Sequence, residues 1–210
     1  MFSFAHYFVL DPMEKLAHTQ YPIHPLLRQR FSTLAFAGDR PVETDKIGSL
    51  LEAARWASSC FNEQPWRFLI ATKADPVAYG KMLDCLVETN QAWAKNAYIL
   101  MISVGKSNFT RNDNPNPYGM YDVGQALGNL TIQAESMGLR VRQMGGFDKE
   151  KARTVYQIPT GFEPAAAVAI GYPGDPTTLP EALREREEGP RSRKPLTEIT
   201  FTQTWGHSYF

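Results

Sequence analysis

The chain has 210 residues, 43% of them apolar, enough for one ordinary domain with a substantial core and a trailing extension. Its 22 basic and 22 acidic residues cancel to zero formal net charge, which disfavours nucleic acid as a partner. Two cysteines, Cys60 and Cys85, form neither a CxxC pair nor a metal-ligand spacing, and no N-terminal run is long and apolar enough for a signal or a membrane span. A cytoplasmic location without membrane attachment is expected.

Residues 1–25 carry scattered aromatics, His6, His18 and His24 and three prolines, with no sustained period. They read as an arm, with at most a short helix near Met13–His18. Residues 26–210 form the domain proper, whose last part, from about 173, is an extension. Pro25 can open a helix over 26–30. A turn at Gly38–Pro41 precedes a helix over 43–58, where Ile47, Leu50, Leu51, Ala54 and Ala57 recur at helical spacing.

A polar loop, Ser58 to Trp66, leads into a buried strand at 67–72. A helix over 76–87 carries Tyr79, Met82, Leu83 and Leu86 on one face, and 98–104 is a second strand closed by Gly105. Residues 106–118, with four asparagines and two prolines, read as a surface loop. The strongest helix spans 121–137, with Gly138 where a helix-terminating glycine belongs. Gly124 and Gly128 lie four apart on it and would allow another backbone close.

Arg140–Met144 is a short strand followed by Gly145-Gly146, Asp148 caps a helix to Tyr156, and 165–171 is a further buried strand. The tail holds a charged helix at 180–187, a basic turn at 191–195 and a strand-like run at 198–204. Strands and helices alternate unevenly, which gives an α+β sandwich around one central sheet.

Several chemistries lose their sequence support. GxGxxG after a strand, the P-loop, HExxH and GxSxG are all absent, so no metal site is expected and the hard chemistry would belong to a bound cofactor. Two clusters, Arg28/Arg30 with Ser32 and Arg191/Arg193 with Ser192, suit a phosphate monoester, since guanidinium forks match its oxygens. Two solvated surface clusters fit the same residues. Asn62 and Gln64 offer the amide donors and acceptors that a ring edge needs, or they cap the preceding helix. Gly145-Gly146 would let backbone N–H groups approach a ligand, or simply make a tight turn.

In order, these pieces resemble the FMN-dependent nitroreductase family. Its opening pattern is matched by Arg30-Phe31-Ser32 with Ala35-Phe36, and its second motif by Ser58 through Phe68. Gly145-Gly146-Phe147 and Arg191-Ser192-Arg193-Lys194-Pro195-Leu196 match the third and fourth. The resemblance implies a nitroreductase-like α+β fold with a central mixed sheet flanked by helices. It also implies an intertwined homodimer holding FMN at its interface, with the tail reaching the partner.

By that resemblance Arg30 and Ser32 contact the FMN phosphate or ribityl chain, with Arg191 and Arg193 closing on the phosphate. Ser58, Ser59, Asn62 and Gln64 reach the flavin of the other subunit, and Gly145 and Gly146 give backbone donors near N5. No side chain acts as acid or base; the chemistry is on the flavin. The implied reaction is ping-pong hydride transfer from NADH or NADPH, through FMN, to a nitroaromatic, a quinone or a similar small acceptor. Dehalogenation, enal reduction, oxidative dehydrogenation and a non-catalytic redox-sensing dimer are the alternatives.

The chain departs from the pattern in three places. A basic residue common two positions after the motif serine is here Leu34, which lowers the expected flavin potential unless Arg67 or Lys95 substitutes. The second motif is a residue longer at Cys60-Phe61. The segment between the second strand and the long helix is short, leaving little to roof the site, so a broad acceptor range is expected.

Overall fold

A computed structural model describes residues 15–210, which divide into a main unit, Arg30–Glu188, and a terminal unit of the residues up to Gln29 with Gly189–Phe210. In chain order the helices and strands are α1 (Pro25–Gln29), α2 (Thr44–Arg55), β1 (Trp66–Thr72), α3 (Pro76–Leu83), α4 (Glu88–Ala94), β2 (Ile99–Lys106), α5 (Gly119–Ser136), β3 (Arg140–Met144), α6 (Lys149–Tyr156), β4 (Phe162–Gly171) and α7 (Glu181–Glu188).

The main unit is built on β2, every residue of which is buried except Lys106. Ile99 and Met101 face one core, with Leu50 and Ala54 of α2 and Val123, Leu127 and Leu130 of α5. Leu100, Ile102 and Val104 face the other, with Tyr79 and Met82 of α3, Trp93 of α4 and Ala152 of α6. Period-two alternation on a strand buried on both sides thus fixes a three-layer arrangement.

The strand order is β1-β2-β4-β3, and every pairing among the described strands is antiparallel. The expectation of a mixed sheet is therefore corrected. The β2–α5–β3 sequence does place two strands parallel, but β4 inserts between them, so neither has a parallel neighbour. Pro164 has no N–H to give a central ladder, and β4 accommodates it at a bulge. Ser103 Oγ fills the irregularity, donating to Ala166 O at 3.0 Å and accepting from Ala166 N at 3.1 Å.

Most expected elements are present, with shifted ends. α5 closes as expected on Gly138 at φ 73°, with Leu139 N donating to Ala134 O. Asp148 caps α6 by accepting from Lys151 N at 2.9 Å. The helix expected over 76–87 stops at Leu83, and α4 follows it. The break has a cause: Leu86 bridges Phe147, Val87 N donates to Gly146 O, and Asp148 N donates to Cys85 O.

In the terminal unit Arg191 donates to the carbonyls of Lys15 and Arg28. The expected strand at 198–204 is instead a 3-10 turn, Leu196–Glu198, and a small loop closed by the Phe201–Ser208 bridge. With no second strand beside it among the described residues, the run satisfies its backbone locally, Thr202 N donating to His207 O at 2.8 Å. The short helix expected near Met13–His18 falls partly outside the described residues, and residues 15–18 are not helical.

Candidate functional site

The antiparallel order brings three chain segments, the start of β1, the end of β2 and the start of β4, to one end of the sheet. β3 runs toward that end but stops at Met144, level with Ala167, Ile102 and Leu69 in the middle of the other strands. The Ser58–Gln64 loop enters at the β1 edge, and the Gly145-Gly146 turn leaves at the β3 edge. Three strand spacings, about 14 Å, separate those edges.

The loop is held in a costly conformation. Phe61, Asn62 and Gln64 take left-handed backbone angles, φ 52°, 56° and 52°, each costing on the order of 1–3 kcal/mol in a non-glycine residue. Its fastenings run to α5 and to the loop before it. Ser58 Oγ donates to Gln125 Oε1 at 2.9 Å, and Cys60 N donates to the buried carboxylate of Asp122 at 3.0 Å. Glu63 accepts from the N–H and hydroxyl of Thr110 and lies 3.5 Å from Lys106. Burial alone would raise the Glu63 pKa, but those hydrogen bonds and Lys106 outweigh it and hold the carboxyl below its ordinary value. The Arg111 guanidinium covers the Phe61 ring at 3.9 Å.

None of these side chains caps α2. Ser59 Oγ accepts from Gln64 N, and Gln64 Nε2 donates to Asn62 O. The exposed Asn62 amide has no protein partner among the described residues, so the loop presents it outward.

At the other edge, Gly145 is exposed and a Cβ there would meet nothing within 4 Å. A Cβ on Gly146 would lie 2.7 Å from Asn90 Nδ2 and 3.0 Å from Val87 Cγ2. Gly146 is thus required by the approach of α4, whereas nothing among the described residues requires glycine at 145. Gly146 O accepts from Val87 N and from Asn90 Nδ2 at 2.9 Å, while the Gly145 and Gly146 N–H groups donate to no protein acceptor among the described residues. The turn holds two unspent donors beside open space, steadied from behind. Asn90, which the sequence reading missed, is the residue that steadies it; an asparagine opening a helix is a local signal for a side chain that bonds backbone, though not for which turn.

Arg30 is half-buried and Ser32 exposed in the segment leading to Phe36. The Ser32 carbonyl accepts from Arg142 Nη1 at 2.5 Å. Leu34 is only 2% exposed and packs in the α3/α4 core, and Leu34 N donates to buried Glu187 at 2.7 Å. Its side chain points into protein. Of the two expected substitutes, Arg67 donates to the carbonyls of Gln64 and Trp66 at the β1 edge, and Lys95 is exposed past the end of α4.

Arg191 and Arg193 belong to the terminal unit, where Arg193 donates to Ser192 O at 2.7 Å. Within the main unit the structure brings Ser32 to Arg142 and the loop residues to α5. It does not bring the Ser58–Gln64 loop to the Gly145-Gly146 turn of the same chain. No group of three or more metal-binding side chains occurs among the described residues, and no helix there is long and apolar enough to cross a membrane.

The fold is that of an α+β oxidoreductase. The chain belongs to the nitroreductase family, whose model matches residues 27–172. The crystal structure of an oxidoreductase containing FMN is 34% identical, with TM-score 0.85, covering 91% of this chain and 96% of that one. An uncharacterized 15.4 kDa protein of Mycolicibacterium smegmatis is 42% identical over 90 residues; the match covers 43% of this chain and 60% of that protein's length. A protein of Archaeoglobus fulgidus, provisionally named NADH dehydrogenase/NAD(P)H nitroreductase, is 26% identical over 157 residues, 69% of this chain and 82% of the relative.

Proposed function

We propose that the protein uses NADH or NADPH to reduce a small acceptor, a nitroaromatic, a quinone or a similar compound, through FMN held between two copies of the chain. The two unspent N–H groups of Gly145 and Gly146, with open space beside Gly145, carry this reading. A flat ring with acceptor atoms along its edge fits donors presented this way. When bound, FMN supplies the hydride acceptor and donor in turn, which makes the overall kinetics ping-pong.

The chain's own residues bind and orient. Gly145 and Gly146 donate their N–H groups to the ring edge, held in place by Asn90 and Val87. Arg30 and Ser32 hold the phosphate and ribityl chain, and the guanidinium fork makes the phosphate contact charge-assisted. Arg191 and Arg193 carry over from the family resemblance as further phosphate ligands. Ser58, Ser59, Asn62 and Gln64 serve the flavin of the other copy, a reading supported by the three strand spacings that keep them from their own chain's turn. No side chain is asked to hold or move a proton.

The test is an absorption spectrum of the purified protein, with and without added FMN, followed on addition of each nicotinamide under nitrogen. Flavin bands that bleach with NADH or NADPH and return with a nitroaromatic or quinone are expected. A protein that binds no FMN, or whose bound flavin neither nicotinamide bleaches, would overturn the reading.

A further inference from the structure

Position 34 offers no cation to a bound flavin, yet an anion-seeking group stands nearby on another element. Arg142 lies on β3, three residues before Gly145 and on the same sheet face as Met144. Its guanidinium reaches the Ser32 carbonyl, so one side chain spans the segment of Ser32 and the strand that ends in the Gly145-Gly146 turn. It lies 5.2 Å from the centre of the Trp93 ring. A guanidinium has five N–H donors, and among the described residues one has a protein acceptor.

Its surroundings leave the positive charge poorly satisfied. Burial, and after it the charge of Arg186, press the Arg142 pKa below the ordinary guanidinium value, with Glu187 offsetting part of that. Glu187 is itself engaged by the Thr33 hydroxyl and Leu34 N. The neighbouring Arg140 is paired with Glu135. Arg142 is thus a half-buried cation with donors to spend, on the strand that runs into the two amides that also have donors to spend.

We propose that Arg142 supplies the positive charge for the pyrimidine edge of the flavin, where negative charge gathers on reduction, in place of a basic residue at position 34. The inference rests on the FMN reading given above. A fixed cation beside that edge stabilises the reduced ring over the oxidised one and raises the reduction potential. Arg142 is in this sense a potential-setting residue, while Gly145 and Gly146 position the ring.

The test compares wild type, Arg142→Lys and Arg142→Met, each loaded with FMN, in two measurements besides turnover. One is the flavin midpoint potential by anaerobic dye titration. The other is sulfite affinity, since sulfite adds through sulfur to flavin N5 and leaves its extra negative charge on the ring. Arg142→Met should lower the potential and raise the sulfite dissociation constant by about tenfold or more, with Arg142→Lys close to wild type. A role confined to bracing Ser32 would change melting temperature and FMN retention but neither of these readouts, and that result overturns the proposal. Should Arg142→Met not fold, Arg142→Gln, which keeps a donor for the Ser32 carbonyl, carries the same comparison. Failure of wild type to bind FMN is a separate outcome that removes the underlying reading itself.

Discussion

Single residues in this chain separate what the fold needs from what a ligand needs, and the adjacent glycines 145 and 146 do so most directly. A methyl group at 146 would collide with Asn90 and Val87, so Gly146→Ala should cost about 1–3 kcal/mol, as overpacking does. Gly145→Ala meets nothing and should leave stability within about 0.5 kcal/mol while still weakening FMN binding. Urea melts of both variants beside FMN titrations check the pair, and equal FMN affinity in Gly145→Ala and wild type would count against ligand approach there. Gln157 is a further case. It ends α6 in the left-handed region at φ 51° with its side chain exposed. Gln157→Gly should therefore raise unfolding free energy by about 0.5–1 kcal/mol.

Two tyrosines show how burial acts on pH dependence. Tyr79 Oη donates to the carbonyls of Ala94 and Ala97, while Tyr156 Oη is buried without a hydrogen-bond partner among the described residues. Burial pushes both phenols up, Tyr156 to about 12 and Tyr79 higher still, from an ordinary value of 10.0. The folded state keeps the proton where the unfolded chain has lost it. Stability is therefore full below pH 10 and falls as pH rises from there through the folded values. Tyr79→Phe should cost about 1–3 kcal/mol at pH 7 by stranding the Ala97 carbonyl, since Ala94 O also accepts from Ala97 N, whereas Tyr156→Phe should be neutral or stabilising by up to about 1 kcal/mol. Each should flatten part of the alkaline loss, read from denaturant melts between pH 8 and pH 12.

At the scale of elements, legibility followed local periodicity. β2 and α5 were readable because a continuous apolar run and a 3.6-residue stripe each force one conformation. The break at Leu83 was not, because Leu83 and Leu86 keep helical spacing while the reason for stopping lies far along the chain, in the pairing of Leu86 with Phe147 and of Val87 with Gly146. Asn90 was missed for the same reason. The strand-like run at 198–204 has strand composition but no partner strand among the described residues, and composition alone does not supply one. The order of motifs carried the family and the α+β class, whereas the all-antiparallel pairing depended on where β4 inserts, which no local pattern encodes. As for the site, motif spacing pointed to the Gly145-Gly146 turn and the Ser58–Gln64 loop, but said nothing of Arg142, whose relation to Ser32 spans 110 residues.

At the scale of the whole molecule, α5 carries small residues on its exposed surface. Gly124 and Gly128 sit exposed in the middle of α5, and a Cβ on either would meet nothing within 4 Å. Each costs a helix about 1 kcal/mol relative to alanine, with no packing among the described residues to account for it. Tyr121, one turn before Gly124, is 68% exposed. If α5 is where two copies meet, bulk at these positions should harm the assembly and not the chain. Gly124→Leu and Gly128→Leu should each keep or raise the stability of an isolated chain while shifting a dimer toward monomer by sedimentation velocity. Flavin should be lost in step, because the proposed site, drawing Asn62 from one copy and Gly145 from the other, would not survive separation. An unshifted sedimentation coefficient with full flavin occupancy in both variants would place the interface, and the second half of the site, away from α5.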